Sequence, residues 1–88
     1  MTTKVKILFF AKARELVGQS SADLEIENGT ELPGSQLKRL VLAQFPKLQI
    51  MQNAFVLALD QTYVQDDETL QQLTADSELA VIPPLSGG

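Results

Sequence analysis

Between residues 4 and 10 the side chains alternate, with Val5, Ile7 and Phe9 on one side and Lys4, Lys6, Leu8 and Phe10 on the other. A period of two is that of a strand with one buried face, so the first set is assigned to the core. The second set begins charged and ends apolar, which makes Leu8 and Phe10 a greasy spot on a wet surface. Residues 11–17 are good helix formers closed by Gly18, a residue favoured just past a helix end. Residues 20–27 alternate again, Ala22, Leu24 and Ile26 against Asp23, Glu25 and Glu27, as in a half-buried antiparallel strand paired with the first.

Asn28-Gly29 reads as a turn, and Pro33-Gly34-Ser35 as punctuation before a main helix that starts near Ser35 with that serine as its cap. At about 100° per residue, Leu37, Leu40, Val41, Phe45 and Leu48 share one stripe, with Lys38, Arg39 and Leu42 outside it. Pro46 stops that helix, and residues 47–52 read as a loop or a last irregular turn. Residues 54–59 and 62–65 are rich in strand formers and flank Asp60-Gln61, the connection of a hairpin. A short helix is expected over residues 69–73, capped by the acidic turn Asp66-Asp67-Glu68. Three adjacent acids invite a metal reading, but they lack the spacing of a calcium loop, and a solvated turn is the better assignment. Residues 78–82 form the final strand, Leu79 and Val81 inward and Glu78, Ala80 and Ile82 outward, ended by Pro83-Pro84. The element order is that of one α+β domain, a sheet covered on one face by a single main helix. If the last strand lies parallel beside the first at the sheet centre, Leu8, Phe10 and Ile82 meet on the outer face as a docking patch.

Composition narrows the chemistry. The 88 residues suffice for one core, and 44% apolar with 20% charged residues is ordinary for a folded domain. Cysteine and histidine are both absent, which removes disulfides, zinc-thiolate sites, the usual thiol nucleophile and the commonest general base. The net charge of −4 argues against nucleic acid. All seven basic residues lie at or before Lys47, so the later half is acidic, a charge asymmetry able to steer it toward a basic partner site. The apolar runs fall far short of the ~20 residues of a membrane helix. Met1-Thr2-Thr3 leads into an alternating strand rather than an apolar signal core, and a cytoplasmic location is expected.

The chemistry is therefore expected at Leu85-Ser86-Gly87-Gly88. Two residues without Cβ let a terminal carboxylate thread a narrow partner tunnel, and two final glycines arise by chance roughly 0.5% of the time at average usage. Residues 1–84 are read as the domain and 85–88 as a flexible tail stiffened at its root by Pro83-Pro84. A carboxylate becomes an acyl donor once adenylated, and a chain without cysteine must carry any sulfur on the terminus itself, as a thiocarboxylate.

The opening Lys6-Ile7-Leu8-Phe9-Phe10-Ala11-Lys12-Ala13-Arg14-Glu15-Leu16-Val17-Gly18 and the closing Glu78-Leu79-Ala80-Val81-Ile82-Pro83-Pro84-Leu85-Ser86-Gly87-Gly88 resemble the small subunits of molybdopterin synthase, the sulfur carriers of molybdenum cofactor biosynthesis. Asp60-Gln61-Thr62-Tyr63-Val64 resembles that family's hairpin, whereas Glu31-Leu32-Pro33-Gly34 departs from its helix entry. The resemblance implies a ubiquitin-like β-grasp fold and a Gly88 carboxylate adenylated by an E1-like activating enzyme that consumes ATP. Sulfur then replaces AMP, and the thiocarboxylate serves the pterin precursor in the large subunit, in a heterotetramer of two small and two large subunits. Gly87, Ser86, Leu85, Pro84 and Pro83 would form the inserting tail. By the same resemblance Phe10 and Ile82 face the partner, with Arg14 as a polar contact, and the alternation adds Leu8 to that patch. No stably bound cofactor is implied, and catalytic side chains belong to the large subunit. Two readings compete: a sulfur carrier for thiamine synthesis or tRNA thiolation, and a ubiquitin-like modifier conjugated to lysines.

Overall fold

The computed structural model describes residues 2–27, 31–51, 54–64 and 68–83. Its elements run β1 (Thr2–Phe9), α1 (Ala11–Val17), β2 (Ser21–Glu27), β3 (Glu31–Pro33), α2 (Gly34–Gln44), a 3-10 turn at Pro46–Met51, β4 (Val56–Leu59), β5 (Thr62–Tyr63), β6 (Leu70–Gln72) and β7 (Glu78–Ile82). Five strands form a mixed sheet in the order β2-β1-β7-β4-β5. Its centre is the parallel pair β1 and β7, with Ile7 level with Leu79 and Phe9 level with Val81. The remaining neighbours are antiparallel, Val5 opposite Leu24 on one flank and Leu57 opposite Val81 on the other.

One face of this sheet is dry because alternation puts every branched or aromatic core residue there. Val5, Ile7, Leu24, Leu79 and Val81 are fully buried, and from the covering layer Leu37 and Val41 of α2 and Leu48 of the 3-10 turn meet them. Phe45 adds an edge-to-face contact with Phe9, ring centroids 5.0 Å apart, a geometry that aligns the positive edge of one ring with the negative face of the other. Leu42, expected outside the stripe, still packs its partly buried side chain against the core. Lys38 lies across the Phe55 ring, its Nζ 4.7 Å from the centroid. This is the α+β, ubiquitin-like β-grasp arrangement, with the parallel central pair that the outer-face patch requires.

Helix boundaries follow local chemistry. Gly18 caps α1 with φ 86, donating its N–H to the Arg14 carbonyl at 2.8 Å. Phe45 precedes Pro46 and leaves helical geometry at φ −129 and ψ 72, because proline's ring disfavours an α conformation in the residue before it. The start of α2 departs from expectation. The helix begins at Gly34 rather than Ser35, and its cap position is Pro33, with no side-chain cap hydrogen bond.

The expected short helix over residues 69–73 is instead a strand. Leu70–Gln72 is β6, antiparallel to β3, a strand not expected from the sequence and overlapping the Pro33-Gly34-Ser35 punctuation only at Pro33, with Leu32 opposite Gln71 and Pro33 opposite Leu70. The pairing forms a separate two-stranded sheet that seats Leu73 in the core at 3% exposure. A window of good helix formers adopts the strand because a partner strand is present and a buried leucine sets its register, and tertiary pairing overrides propensity. The Asn28-Gly29 turn, Gln65, the acids Asp66 and Asp67, and residues 84–88 lie outside the described residues.

Candidate functional site: the outer face of the sheet

The sheet face away from α2 carries the even-numbered residues of β1 and β7. Parallel register sets Leu8 beside Ala80, and antiparallel register sets Ala80 beside Ala58 and Ile82 beside Val56. Beyond the end of β1, the Phe10 N–H still reaches the Val81 carbonyl at 3.3 Å, so Phe10 remains in line with the sheet before the chain turns into α1. The turn is abrupt: Ala11 takes φ 49, a left-handed backbone that a residue with Cβ adopts at a cost. Phe10 is left 46% exposed, a large apolar side chain presented to solvent.

Leu8, Phe10, Ala58, Ala80 and Ile82 thereby line one shallow depression of about 280 Å³, with Tyr63, Gln61 and Glu78 at its rim. Small Ala58 and Ala80 at the centre make it concave, and the larger side chains wall it. The rim is pinned by a reciprocal pair of bonds. The Asp60 N–H donates to the Glu78 carbonyl at 2.8 Å, and the Glu78 N–H donates to Asp60 Oδ1 at 2.9 Å. Asp60 and Gln61 have φ 49 and φ 70, the left-handed pair of a tight two-residue hairpin whose twist matches its strands. That turn holds Gln61 and Tyr63 against the start of β7.

Of the residues expected at a docking patch, Leu8, Phe10 and Ile82 are brought together. Arg14 lies one turn into α1 with an exposed side chain and does not line the depression. Pro83 is buried, so the chain is still packed on the domain one residue beyond β7. Pro84, Leu85, Ser86, Gly87 and Gly88 fall outside the described residues. Ala58, Gln61, Tyr63 and Glu78 were not singled out from the sequence. The signal existed, since a two-residue hairpin sets Tyr63 opposite Ala58 on the outer face. Among the described residues no group of three metal-capable side chains occurs, and no buried side-chain nitrogen or oxygen lacks a hydrogen-bond partner. No helix among them is long and apolar enough to cross a membrane.

Residues 7–88 match the ThiS family. The chain is 42% identical over 88 residues to the molybdopterin synthase sulfur carrier subunit of Anopheles gambiae, covering 99% of this chain and 94% of that one. It is 38% identical over 84 residues to the subunit of the same description from Caenorhabditis briggsae, covering 96% of each. Among solved structures, a complex of subunits 1 and 2 of the molybdopterin-converting factor from Helicobacter pylori contains a chain with the same fold. There the TM-score is 0.61 with 19% identity, and both chains are covered in full at 100%. Matched across nearly its whole length at these identities, the chain belongs to the ThiS family and, within it, to the molybdopterin synthase sulfur carrier subunits.

Proposed function

We propose that this protein carries sulfur on its C-terminal glycine for molybdopterin synthase. The observation that carries the reading is the full-length identity to sulfur carrier subunits, joined by an apolar depression beside the point where β7 delivers the chain to Pro83. In the proposed cycle a carboxylate oxygen of Gly88 attacks the α-phosphate of ATP on an E1-like enzyme, and pyrophosphate leaves. A sulfur nucleophile then attacks the acyl carbon and expels AMP, leaving a thiocarboxylate. The large synthase subunit takes that sulfur into the pterin precursor, two carriers being consumed per dithiolene, and the regenerated carboxylate returns to the activating enzyme.

In this reading residues 1–84 are the domain and residues 85–88 the inserting tail, with buried Pro83 as its anchored root. Phe10, Ile82 and Leu8 dock the large subunit, and Tyr63 extends the same surface. Arg14 contacts the partner only if that protein wraps around α1. Two carriers and two large subunits form the assembly, and the cytosol is its compartment. The carrier binds no cofactor of its own. Identity to named sulfur carriers favours this reading over a lysine-conjugated modifier.

Mass spectrometry of protein isolated from cells tests the proposal. A gain of about 16 Da on the C-terminal peptide, oxygen replaced by sulfur, is expected, together with precursor conversion when that protein is mixed with a large subunit. Gly-Gly remnants on lysines of other proteins, with an unmodified carboxylate on the free pool, would overturn it.

A further inference from the structure

β2 is an outer strand of the five-stranded sheet, so among the described residues one flank of its backbone has no strand beside it. Glu25 turns its peptide groups to that flank, and the side chain of Gln44 takes both. The Glu25 N–H donates to Gln44 Oε1 at 3.0 Å, and Gln44 Nε2 donates to the Glu25 carbonyl at 2.8 Å. A carboxamide that accepts and donates one bond to a single residue reproduces what a residue of a paired strand offers. Gln44 is exposed and is the last residue of α2, so an incoming backbone can replace it by exchanging like bonds for like.

Beside this capped edge an open groove of about 560 Å³ runs between β2 and α2, with an apolar floor of Ile26, Leu32, Leu40 and Ala43. A strand added along β2 would send alternate side chains toward that groove and the others to the outer face, next to Asp23, Glu25 and Glu27. The occupied flank of β2 shows which residues suit each row. In β1, Lys4 stands opposite Glu25 and Lys6 opposite Asp23, while Val5 stands opposite Leu24. The same acidic row and the same apolar row face the open flank.

We propose that the β2 edge binds an extended segment of a partner protein, basic on one face and apolar on the other, as a sixth strand that displaces Gln44. Main-chain bonds to Asp23, Glu25 and Glu27 supply affinity, and the alternation supplies specificity. The edge lies at the opposite margin of the sheet from β5, and its open flank is turned away from the depression over β1, β7 and β4.

An NMR titration of the full chain with a synthetic eight-residue peptide of alternating lysine and valine tests this. Shifts are expected at the amides of Asp23, Glu25 and Glu27 and at the Gln44 side-chain amide, weakening as salt is raised. The same peptide with glutamate in place of lysine should not bind. Gln44→Ala, which removes the internal competitor, should tighten binding about fivefold, and Ala43→Arg, at an exposed groove position, should abolish it. Shifts centred on Leu8, Ile82 and Tyr63, equal binding of both peptides, or weaker binding by Gln44→Ala would each overturn the proposal. Self-association of Gln44→Ala without peptide would also overturn it, because the edge would then belong to a second copy of the chain.

Discussion

Asp60 holds a left-handed backbone conformation at φ 49 and also accepts the Glu78 N–H at 2.9 Å, and three substitutions separate the two effects. A hydrogen bond to a carboxylate at an exposed turn contributes about 1 kcal/mol net, and the left-handed conformation costs alanine about 1 kcal/mol more than aspartate, asparagine or glycine. Asp60→Ala loses on both counts, and a destabilisation of about 2 kcal/mol is expected. Asp60→Gly loses the bond alone and should cost about 1 kcal/mol, increased slightly by unfolded-state entropy. Asp60→Asn keeps an acceptor oxygen and tolerates the backbone, so its cost should stay within about 0.5 kcal/mol. Urea unfolding reads the series directly, because at a slope of about 1 kcal/mol/M the alanine variant should unfold at a midpoint about 2 M lower. Equal midpoints for glycine and asparagine would refute the hydrogen bond as a contributor, and equal midpoints for glycine and alanine would refute the backbone cost. Since this turn carries Gln61 and Tyr63, Asp60→Ala should also weaken large-subunit binding beyond its effect on stability.

Deleting Gly88, or extending the chain beyond it, should abolish sulfur transfer while leaving the thermal midpoint unchanged, as read by precursor conversion beside a melting curve. Ile82→Asp and Phe10→Asp should weaken large-subunit binding by about tenfold or more in a titration, since each sets a charge into an apolar contact. Phe10→Asp should also cost about 1–2 kcal/mol of stability, because half of that ring is already covered. Gly18→Ala should destabilise by about 1 kcal/mol through backbone strain alone, as an added Cβ meets nothing within 4 Å. Ala11→Gly, at φ 49, should cost far less than a glycine elsewhere in a helix, and chemical denaturation of the pair gives both magnitudes.

The dry face of the sheet was legible residue by residue. Val5, Ile7, Phe9, Leu24, Ile26, Leu79 and Val81 are buried as their alternation requires, because a strand sends successive side chains to opposite faces whatever its neighbours are. The hairpin at Asp60-Gln61 and the αL cap at Gly18 were equally local, each set by the conformations those residues tolerate. Local signals failed where the partner is remote. Leu70–Gln72 has the composition of a helix and becomes a strand only because Glu31–Pro33 lies alongside.

What the sequence determined by itself was which side chains share a face, where the turns fall, and that reactive chemistry is not to be sought in cysteine or histidine. What only the tertiary structure decided was which faces come together. The parallel placement of β7 beside β1 puts Leu8 level with Ala80, and the Asp60 bond to Glu78 brings Tyr63 and Gln61 to the same depression. The outermost place of β2 likewise leaves Glu25 to a side chain of α2. Alternation is a property of one strand and can be read along it, whereas adjacency in a sheet is a contest among pairings distant in sequence, settled by the burial of the whole core.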